Sequence, residues 1–182
     1  ARQVKPTRKA VKVTRLGQGV DAPGRLANKA VERTLTPVAQ LASEIPPGVP
    51  VCVLATSAVR DASNGQQFAQ QVKDKIGVPL TILSGADEAR LSFQGAVLSL
   101  EELDLPEPLS VVDIGGGSTE IYTGLLNGNL LGGGSVQVGA VRMLERFITT
   151  HPLLSEEQRL MEQEIEQLLM PLVDENLRFK HQ

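Results

Sequence analysis

The sequence predicts an α/β protein that contains parts of two domains. Apolar runs at residues 49–56 and 111–114 are typical of buried strands, and apolar residues at helical spacing follow each run. Between the two halves, residues 101–108 are acidic and proline-rich, as in a linker. We therefore expect most of one domain over residues 1–109 and the first part of a second over residues 110–182, because no strand is predicted after the last helix.

The composition excludes several classes of protein. Hydrophobic residues make up 41% and charged residues 21% of the chain, as in an ordinary globular protein. Aromatic residues make up 3%, which argues against stacking on nucleic-acid bases. Cys52 is the one cysteine, so no internal disulfide is expected. Without an apolar run of membrane length or a signal peptide, the sequence predicts a soluble, cytoplasmic protein with no membrane partner and no specific nucleic-acid partner.

Basic residues are concentrated at the start of the chain. Residues 1–20 hold six Lys and Arg and no acid, whereas the remainder has 12 basic against 21 acidic residues. Residues 9–16 alternate apolar and basic side chains, which predicts a strand with one solvent-facing side. The pattern is consistent with a solvated strand edge or with a surface that binds a polyanion, and it leaves both open.

Helices and strands alternate in the first predicted domain. In order, the predicted elements are a helix over residues 28–43, a strand over 49–56, a helix over 64–76, a strand over 79–83 and a helix over 84–100. Pro37 predicts a kink or an early end in the first helix. The strand over 49–56 is expected to be buried on both faces. Asn64 is expected to cap the helix that it begins.

The second predicted domain has a different order of elements. It consists of a strand and glycine loop at residues 111–118, a hairpin with a type I′ turn at Asn127-Gly128, a second glycine triplet at 132–134, a helix after 139, and an amphipathic helix after the capping box Ser155-Glu-Glu-Gln158. The second glycine triplet is expected to form a bend or a flexible part of the hairpin.

The segment Val-Val-Asp-Ile-Gly-Gly-Gly-Ser-Thr-Glu at residues 111–120 gives the main chemical signal. Glycines let successive backbone amides turn toward one anion, a serine adds a donor, and acids beside them suit Mg²⁺ bound to phosphate oxygens. The segment matches neither the Walker nor the dinucleotide pattern. A tight turn without a ligand is the alternative. The candidate phosphate ligands are Gly115, Gly116, Gly117 and Ser118, and the candidate metal ligands are Asp113 and Glu120.

Two charged residues outside this loop have two interpretations each. Arg60 follows a predicted strand at the edge where open α/β sheets bind ligands, so it is either a phosphate clamp or an ion-pair partner of Asp61 or Asp87. Glu88 lies in the first turn of a predicted helix, where Ser84 together with Asp87 or Glu88 would form a cap. From the residues alone, capping is the simpler explanation of Glu88.

Five motifs, taken in order, resemble the exopolyphosphatase and guanosine pentaphosphate phosphatase (Ppx/GppA) family. They are Arg15-Leu-Gly-Gln-Gly-Val-Asp21, Ala55-Thr-Ser-Ala-Val-Arg-Asp61, Ser84-Gly-Ala-Asp-Glu-Ala-Arg90, Val112-Asp-Ile-Gly-Gly-Gly-Ser-Thr-Glu120 and Gly139-Ala-Val-Arg142. The resemblance implies an actin-like fold, as in sugar kinases and heat-shock ATPases, in which paired ribonuclease H-like domains enclose a phosphate site. The family's first loop, resembling Asp-Ile-Gly-Thr-Asn-Ser, has no counterpart here, so both domains are expected to be incomplete.

The resemblance also implies roles for particular residues. Glu88 matches the family's catalytic glutamate, Arg60 matches a cleft arginine, and residues 113–120 match the phosphate loop with its metal-associated acids. Mg²⁺ or another divalent cation is the implied cofactor, and polyphosphate or guanosine penta- or tetraphosphate is the implied ligand. The family also leans toward a homodimer. Asp87 stands where the family usually has Glu, with little expected consequence.

The leading hypothesis is a phosphohydrolase that releases terminal phosphate from polyphosphate or guanosine pentaphosphate, with Glu88 orienting the attacking water. One alternative is an ATP-dependent small-molecule kinase of the same superfamily. Another is a non-enzymatic module that binds polyanions or nucleotide alarmones. Because the first phosphate loop has no counterpart, we expect weak or no activity from these 182 residues alone.

Overall fold

The computed structural model describes residues 9–18, 24–98, 100 and 105–181. These residues form two lobes, each with its own sheet. In chain order the elements are α1 (Asn28–Ser43), β1 (Val53–Ala55), α2 (Ser57–Arg60), α3 (Gly65–Ile76), β2 (Leu80–Ile82), α4 (Gly85–Leu98), β3 (Leu109–Ile114), β4 (Thr119–Gly124), β5 (Leu130–Val136), α5 (Ala140–Phe147), α6 (Ser155–Leu177) and a short 3-10 helix (Arg178–His181).

The first lobe consists of residues 9–18, α1, α2, α3 and the parallel pair β1 and β2. Phe68 and Val72 of α3 are buried, as the helical spacing predicts. α1 continues through Pro37 as one helix. The core of the lobe is formed by buried apolar side chains of the helices and the segments beside them: Leu26, Val31, Val59, Ala62, Phe68 and Val72.

Asn64 anchors the start of α3 to the segment before α1. Its Oδ1 accepts a hydrogen bond from the Leu26 amide at 2.8 Å, and its Nδ2 donates to the Leu26 carbonyl at 3.0 Å. The side chain makes no cap bond to α3. The prediction of a side-chain cap is therefore wrong, because both polar atoms of Asn64 already have a partner in Leu26.

The strands of the first lobe are less extensive and less covered than the sequence predicts. β1 is limited to Val53–Ala55, and Leu54 is 47% exposed because it points away from the core that its neighbours contact. Residues 9–16 form no strand, since no described strand pairs with them, and Val11 and Val13 are exposed. The expectation that β1 is buried on both faces is thus wrong.

The second lobe is the antiparallel sheet β3-β4-β5 with α4 on one face and α6 on the other. β3 was expected to be a buried strand, but it lies at the edge of the sheet, and Ile114 is 70% exposed. Its outer residues border an open apolar groove of about 460 Å³ next to α5 and α6. The division at residue 109 stays a prediction, and α4, which precedes it, packs against the second sheet.

The β4–β5 hairpin differs from the predicted type. The Gly128 amide donates to the Leu125 carbonyl, and the Leu125 amide donates to the Asn129 carbonyl, both at 2.9 Å. A type I′ turn needs positive φ at both central residues, whereas of this pair only Gly128 has one, at +87°. The connection is thus a longer loop with a left-handed glycine, and the type I′ prediction is wrong.

The second glycine triplet is part of β5 rather than a bend. A Cβ at Gly132 would collide with the Phe179 ring, and one at Gly134 would lie 2.9 Å from Leu172 Cδ1. These glycines let α6 and the 3-10 helix pack closely on the sheet. Their role here is packing.

Helix α6 begins with a cap from a different residue than expected. Glu157, rather than Gln158, accepts a hydrogen bond from the Leu154 amide at 3.1 Å, and it also accepts from the Thr149 amide at 2.8 Å. Of the predicted apolar stripe of this helix, Leu172 is buried against the sheet, whereas Leu160 is exposed. Among the helices formed by the described residues, none is long and apolar enough to cross a membrane.

Candidate functional site

The glycine loop is a tight turn between β3 and β4 that is fastened to the start of α5. The Gly115 amide donates to the Ser118 carbonyl at 2.9 Å. The Ala140 amide donates to the Gly115 carbonyl at 3.0 Å, and the Val141 amide donates to the Gly116 carbonyl at 2.9 Å. The loop is therefore a tight turn whose position is fixed by α5, and phosphate binding by the loop stays a prediction.

The hydrogen bonds of this loop are distributed unequally between carbonyls and amides. All four carbonyls of residues 115–118 accept hydrogen bonds, including the Gly117 carbonyl, which accepts from Arg142 Nε at 2.7 Å. By contrast, the amides of Gly116, Gly117 and Ser118 donate to no acceptor in the described part of the chain. Successive amides without an internal acceptor are the arrangement that binds anions in glycine-rich loops.

The two candidate metal ligands are cross-strand partners. Asp113 lies opposite Glu120, so their side chains are on one face of the sheet with Cβ atoms about 4.5–5.5 Å apart. Asp113 Oδ2 accepts from the Ser92 hydroxyl at 2.9 Å, and the buried Glu120 accepts from the Ser135 hydroxyl at 2.6 Å.

This acid pair fits a Mg²⁺ ion that also binds water and substrate, rather than a metal ion held by protein ligands alone. Mg²⁺ usually keeps several waters and takes one or two carboxylates together with substrate oxygens. In the ranges that the structure describes, no group of three or more His, Cys, Asp or Glu side chains could hold a metal ion without such help. Asp113 and Glu120 therefore suit a cation shared with phosphate.

Glu88 faces the side of the second sheet that carries Asp113 and Glu120. It lies four residues before Ser92 on α4, so the two side chains are one turn apart on one helix face, and Ser92 contacts Asp113. The capping role belongs instead to Asp87, whose amide and carboxylate both hydrogen-bond to Ser84 Oγ, at 3.1 and 2.7 Å. The hydrogen bond from Ser84 is the main cause that lowers the pKa of Asp87. Capping therefore does not account for Glu88.

Arg60 contacts the candidate catalytic acid directly. Its Nη1 lies 2.7 Å from Glu88 Oε2 and donates to the Leu83 carbonyl at 3.1 Å, and its Nε lies 3.7 Å from Asp61 Oδ1. Of the two partners that the sequence suggested, Asp61 is in contact, whereas Asp87 pairs with Arg90. The structure thus brings Arg60 and Glu88 together, and phosphate binding by Arg60 remains a prediction.

Two residues of this region, Arg142 and Tyr122, had no predicted role. Arg142 bonds the Gly117 carbonyl and also lies 3.5 Å from Asp61 Oδ2. Tyr122 lies on the same face of β4 as Glu120, and burial raises its pKa, with Glu120 and Glu88 adding to the rise. Arg142 stands in a motif that the sequence singled out, but nothing in the motif indicates its contacts. The two charges near Tyr122 come from β4 itself and from α4.

A cavity of about 260 Å³ lies between the two lobes beside the glycine loop. Gly116, Gly117 and Arg142 line it from the second lobe, and Arg15 and Ser57 line it from the first. Its lining does not include Glu88, Arg60 or the two candidate metal ligands. The loop thus borders a cavity between the two lobes.

The chain is similar to known proteins in sequence and in fold. Exopolyphosphatase 2 of Mycobacterium tuberculosis is 39% identical over 148 residues, which is 78% of this chain and 45% of that protein. Among solved structures, an exopolyphosphatase-like protein matches with a TM-score of 0.82 at 35% identity, covering 92% of this chain and 53% of that one. The Aquifex aeolicus Ppx/GppA family member matches with a TM-score of 0.64 at 30% identity, covering 86% and 50%.

These matches confirm the actin-like fold that the motifs implied. The chain spans about half the length of the curated relatives it matches. The model of the Ppx/GppA phosphatase family matches residues 3–178, nearly the whole chain. The chain belongs to the Ppx/GppA phosphatase family.

Proposed function

We propose that the protein removes the terminal phosphate of inorganic polyphosphate by hydrolysis, with guanosine pentaphosphate as the second candidate substrate. The observation that supports this most directly is the glycine loop, in which every carbonyl is bonded and three successive amides have no described acceptor. The name of the Mycobacterium tuberculosis relative favours polyphosphate.

The loop amides would bind the terminal phosphoryl group. Gly116, Gly117 and Ser118 offer backbone donors that are already in place, so they need little reorganisation when charge develops on the phosphoryl oxygens. The bonds from α5 to the loop carbonyls hold these donors in position. Asp113 and Glu120 would hold a divalent cation, whose charge offsets the negative charge on the transferred group.

Glu88 would orient the attacking water and accept its proton. Its side chain is 13% exposed, and the 2.7 Å contact with Arg60 fixes its carboxylate. The remaining guanidinium hydrogens of Arg60 would reach a phosphate oxygen beside that carboxylate, because arginine has five donors in a rigid fork. Binding and water activation would then come from adjacent groups of different lobes.

Glu88→Gln in the full-length protein tests this proposal. The amide has nearly the same shape but is a poor base, so turnover should fall by roughly 10²- to 10⁴-fold while polyphosphate still binds. Phosphate release is measured with polyphosphate and guanosine pentaphosphate in parallel, with Mg²⁺ and without any phosphoryl acceptor. Release without an acceptor also separates a hydrolase from a kinase.

Asp87→Asn is the matched control, because Asp87 is the neighbouring acid and its carboxylate is used in the helix cap. This variant should keep turnover close to wild type. Near-normal turnover of Glu88→Gln would remove Glu88 from the mechanism. Tight binding without any phosphate release by the wild-type protein would favour a binding module instead.

A further inference from the structure

We propose that Asp61 is a positioning residue that connects Glu88 to the glycine loop of residues 115–118. It does so through two arginines, Arg60 and Arg142. The activity part of this inference rests on the proposed phosphohydrolase function, whereas the structural part does not.

A continuous chain of polar contacts joins Glu88 to the glycine loop. Arg60 Nη1 lies 2.7 Å from Glu88 Oε2, and Arg60 Nε lies 3.7 Å from Asp61 Oδ1. On the other side, Asp61 Oδ2 lies 3.5 Å from Arg142 Nη2, and Arg142 Nε donates to the Gly117 carbonyl at 2.7 Å. Each oxygen of one carboxylate thus contacts one of the two arginines.

The backbone of Asp61 is held where this contact needs it. Its amide donates to the Ser57 carbonyl at 2.8 Å, which closes the short helix α2. Ser57 is buried, and its Oγ lies 3.1 Å from the position of a Cβ built on Gly117. The element that presents Asp61 therefore also packs against the loop, and both contacts fix the distance between the lobes.

The charge of Asp61 is needed because it separates two cations. Arg60 and Arg142 both approach the site, and without a carboxylate between them their like charges would repel. Asn at this position accepts through one oxygen only and turns its NH₂ group toward the other guanidinium. Asp61→Asn should therefore weaken the contact with one arginine and shift either the Arg60–Glu88 pair or the Arg142–Gly117 bond.

The effect should appear in geometry more than in stability. The side chains of Asp61 and Arg60 are 25% and 26% exposed, and ion pairs that water reaches contribute little to stability. A displacement of about 1 Å between catalytic groups can lower turnover by about 100-fold. We thus expect a loss in kcat that is large relative to the change in thermal stability.

The test compares Asp61→Asn, Arg142→Gln and the double variant in the full-length protein. With polyphosphate and Mg²⁺, kcat should fall by roughly 10- to 100-fold in Asp61→Asn, with KM within about twofold. The double variant should be no slower than the slower single variant, because both substitutions break the same connection. Asp61→Glu, which keeps the carboxylate, should recover part of the lost kcat.

Hydrogen exchange measures the same connection without substrate. In Asp61→Asn, exchange of the Val141 and Arg142 amides, which donate to the Gly116 carbonyl, should increase several-fold while exchange in α1 is unchanged. Asp74→Asn is the control, because Asp74 is an exposed carboxylate that is bonded to Gln70 away from the site.

The outcomes separate this inference from the proposed function. If the wild-type protein released no phosphate, the proposed function would fail, and the exchange data would still decide whether Asp61 holds the loop. Wild-type kcat together with unchanged exchange in Asp61→Asn would overturn the inference. Equal losses of kcat in Asp61→Asn and Asp74→Asn would also overturn it, since they would show an effect of charge alone.

Discussion

Gly139→Ala tests whether the glycine loop depends on its place against α5. A Cβ at Gly139 would lie 2.5 Å from the carbonyl carbon and oxygen of Gly116 and from the amide nitrogen of Gly117. Gly139 has a φ of −149°, which any residue adopts, so the added methyl group acts by contact alone. Nonbonded carbon atoms pack best at about 3.5–4.0 Å, so the loop or α5 must move by roughly 1 Å.

This displacement should lower both stability and turnover. Overpacking of this kind costs about 1–3 kcal/mol in the free energy of unfolding. A shift of about 1 Å in the phosphate donors can lower turnover by up to about 100-fold. Urea unfolding followed by circular dichroism measures the first quantity, and phosphate release from polyphosphate measures the second.

Gly95→Ala is the matched control, because it is the same substitution at an exposed position of α4 where a Cβ meets nothing within 4 Å. Alanine is the better helix former, so this variant should gain about 0.5–1 kcal/mol. The two substitutions are thus expected to change stability in opposite directions. Wild-type stability and wild-type turnover in Gly139→Ala would refute the claim that α5 sets the position of the loop.

Two further predictions concern stability. Hydrogen bonds from the Thr149 and Thr150 hydroxyls lower the pKa of Glu157 from 4.5 to about 2. The contribution of Glu157 to stability is therefore present above pH 4.5 and is lost as the pH falls toward 2. In urea unfolding, the free energy of unfolding should fall less between pH 5 and pH 3 in Glu157→Gln than in wild type, and equal losses would contradict this. Asn176→Ala should lower the free energy of unfolding by about 1–3 kcal/mol, because buried Asn176 accepts a hydrogen bond from the buried Thr123 hydroxyl at 3.0 Å. An unchanged Tm in calorimetry would contradict this prediction.

Local patterns predicted helices better than strands. The helix over Asn28–Ser43 and the helix ending at Ile76 agree with their apolar spacing, because a helix makes its hydrogen bonds within its own segment. A strand needs a neighbour. Residues 9–16 have the alternation of a strand but no described partner, and the apolar edge strand β3 is exposed rather than buried.

Helix α4 shows where local information is insufficient at the site. Its first turn contains two adjacent acids, and the sequence allowed either one to cap the helix. In the folded chain Ser84 bonds Asp87, while Glu88 points to Arg60. The choice between the two acids depends on the position of α2, which lies on another part of the chain.

Apart from Arg60, the candidate phosphate ligands and the candidate metal ligands lie within residues 113–120, so the local sequence was sufficient to propose them, and their roles stay predictions. Consecutive glycines let the amides of a turn face one side through local backbone geometry, whereas the bonds from α5 that hold this turn in place depend on the folded chain. The other contacts of the site depend on the folded chain. Arg60 and Glu88 are 28 residues apart, and Asp61 and Arg142 are 81 residues apart. Such pairs form only when the two lobes pack together, because no periodicity within a segment specifies which distant charge a side chain will meet.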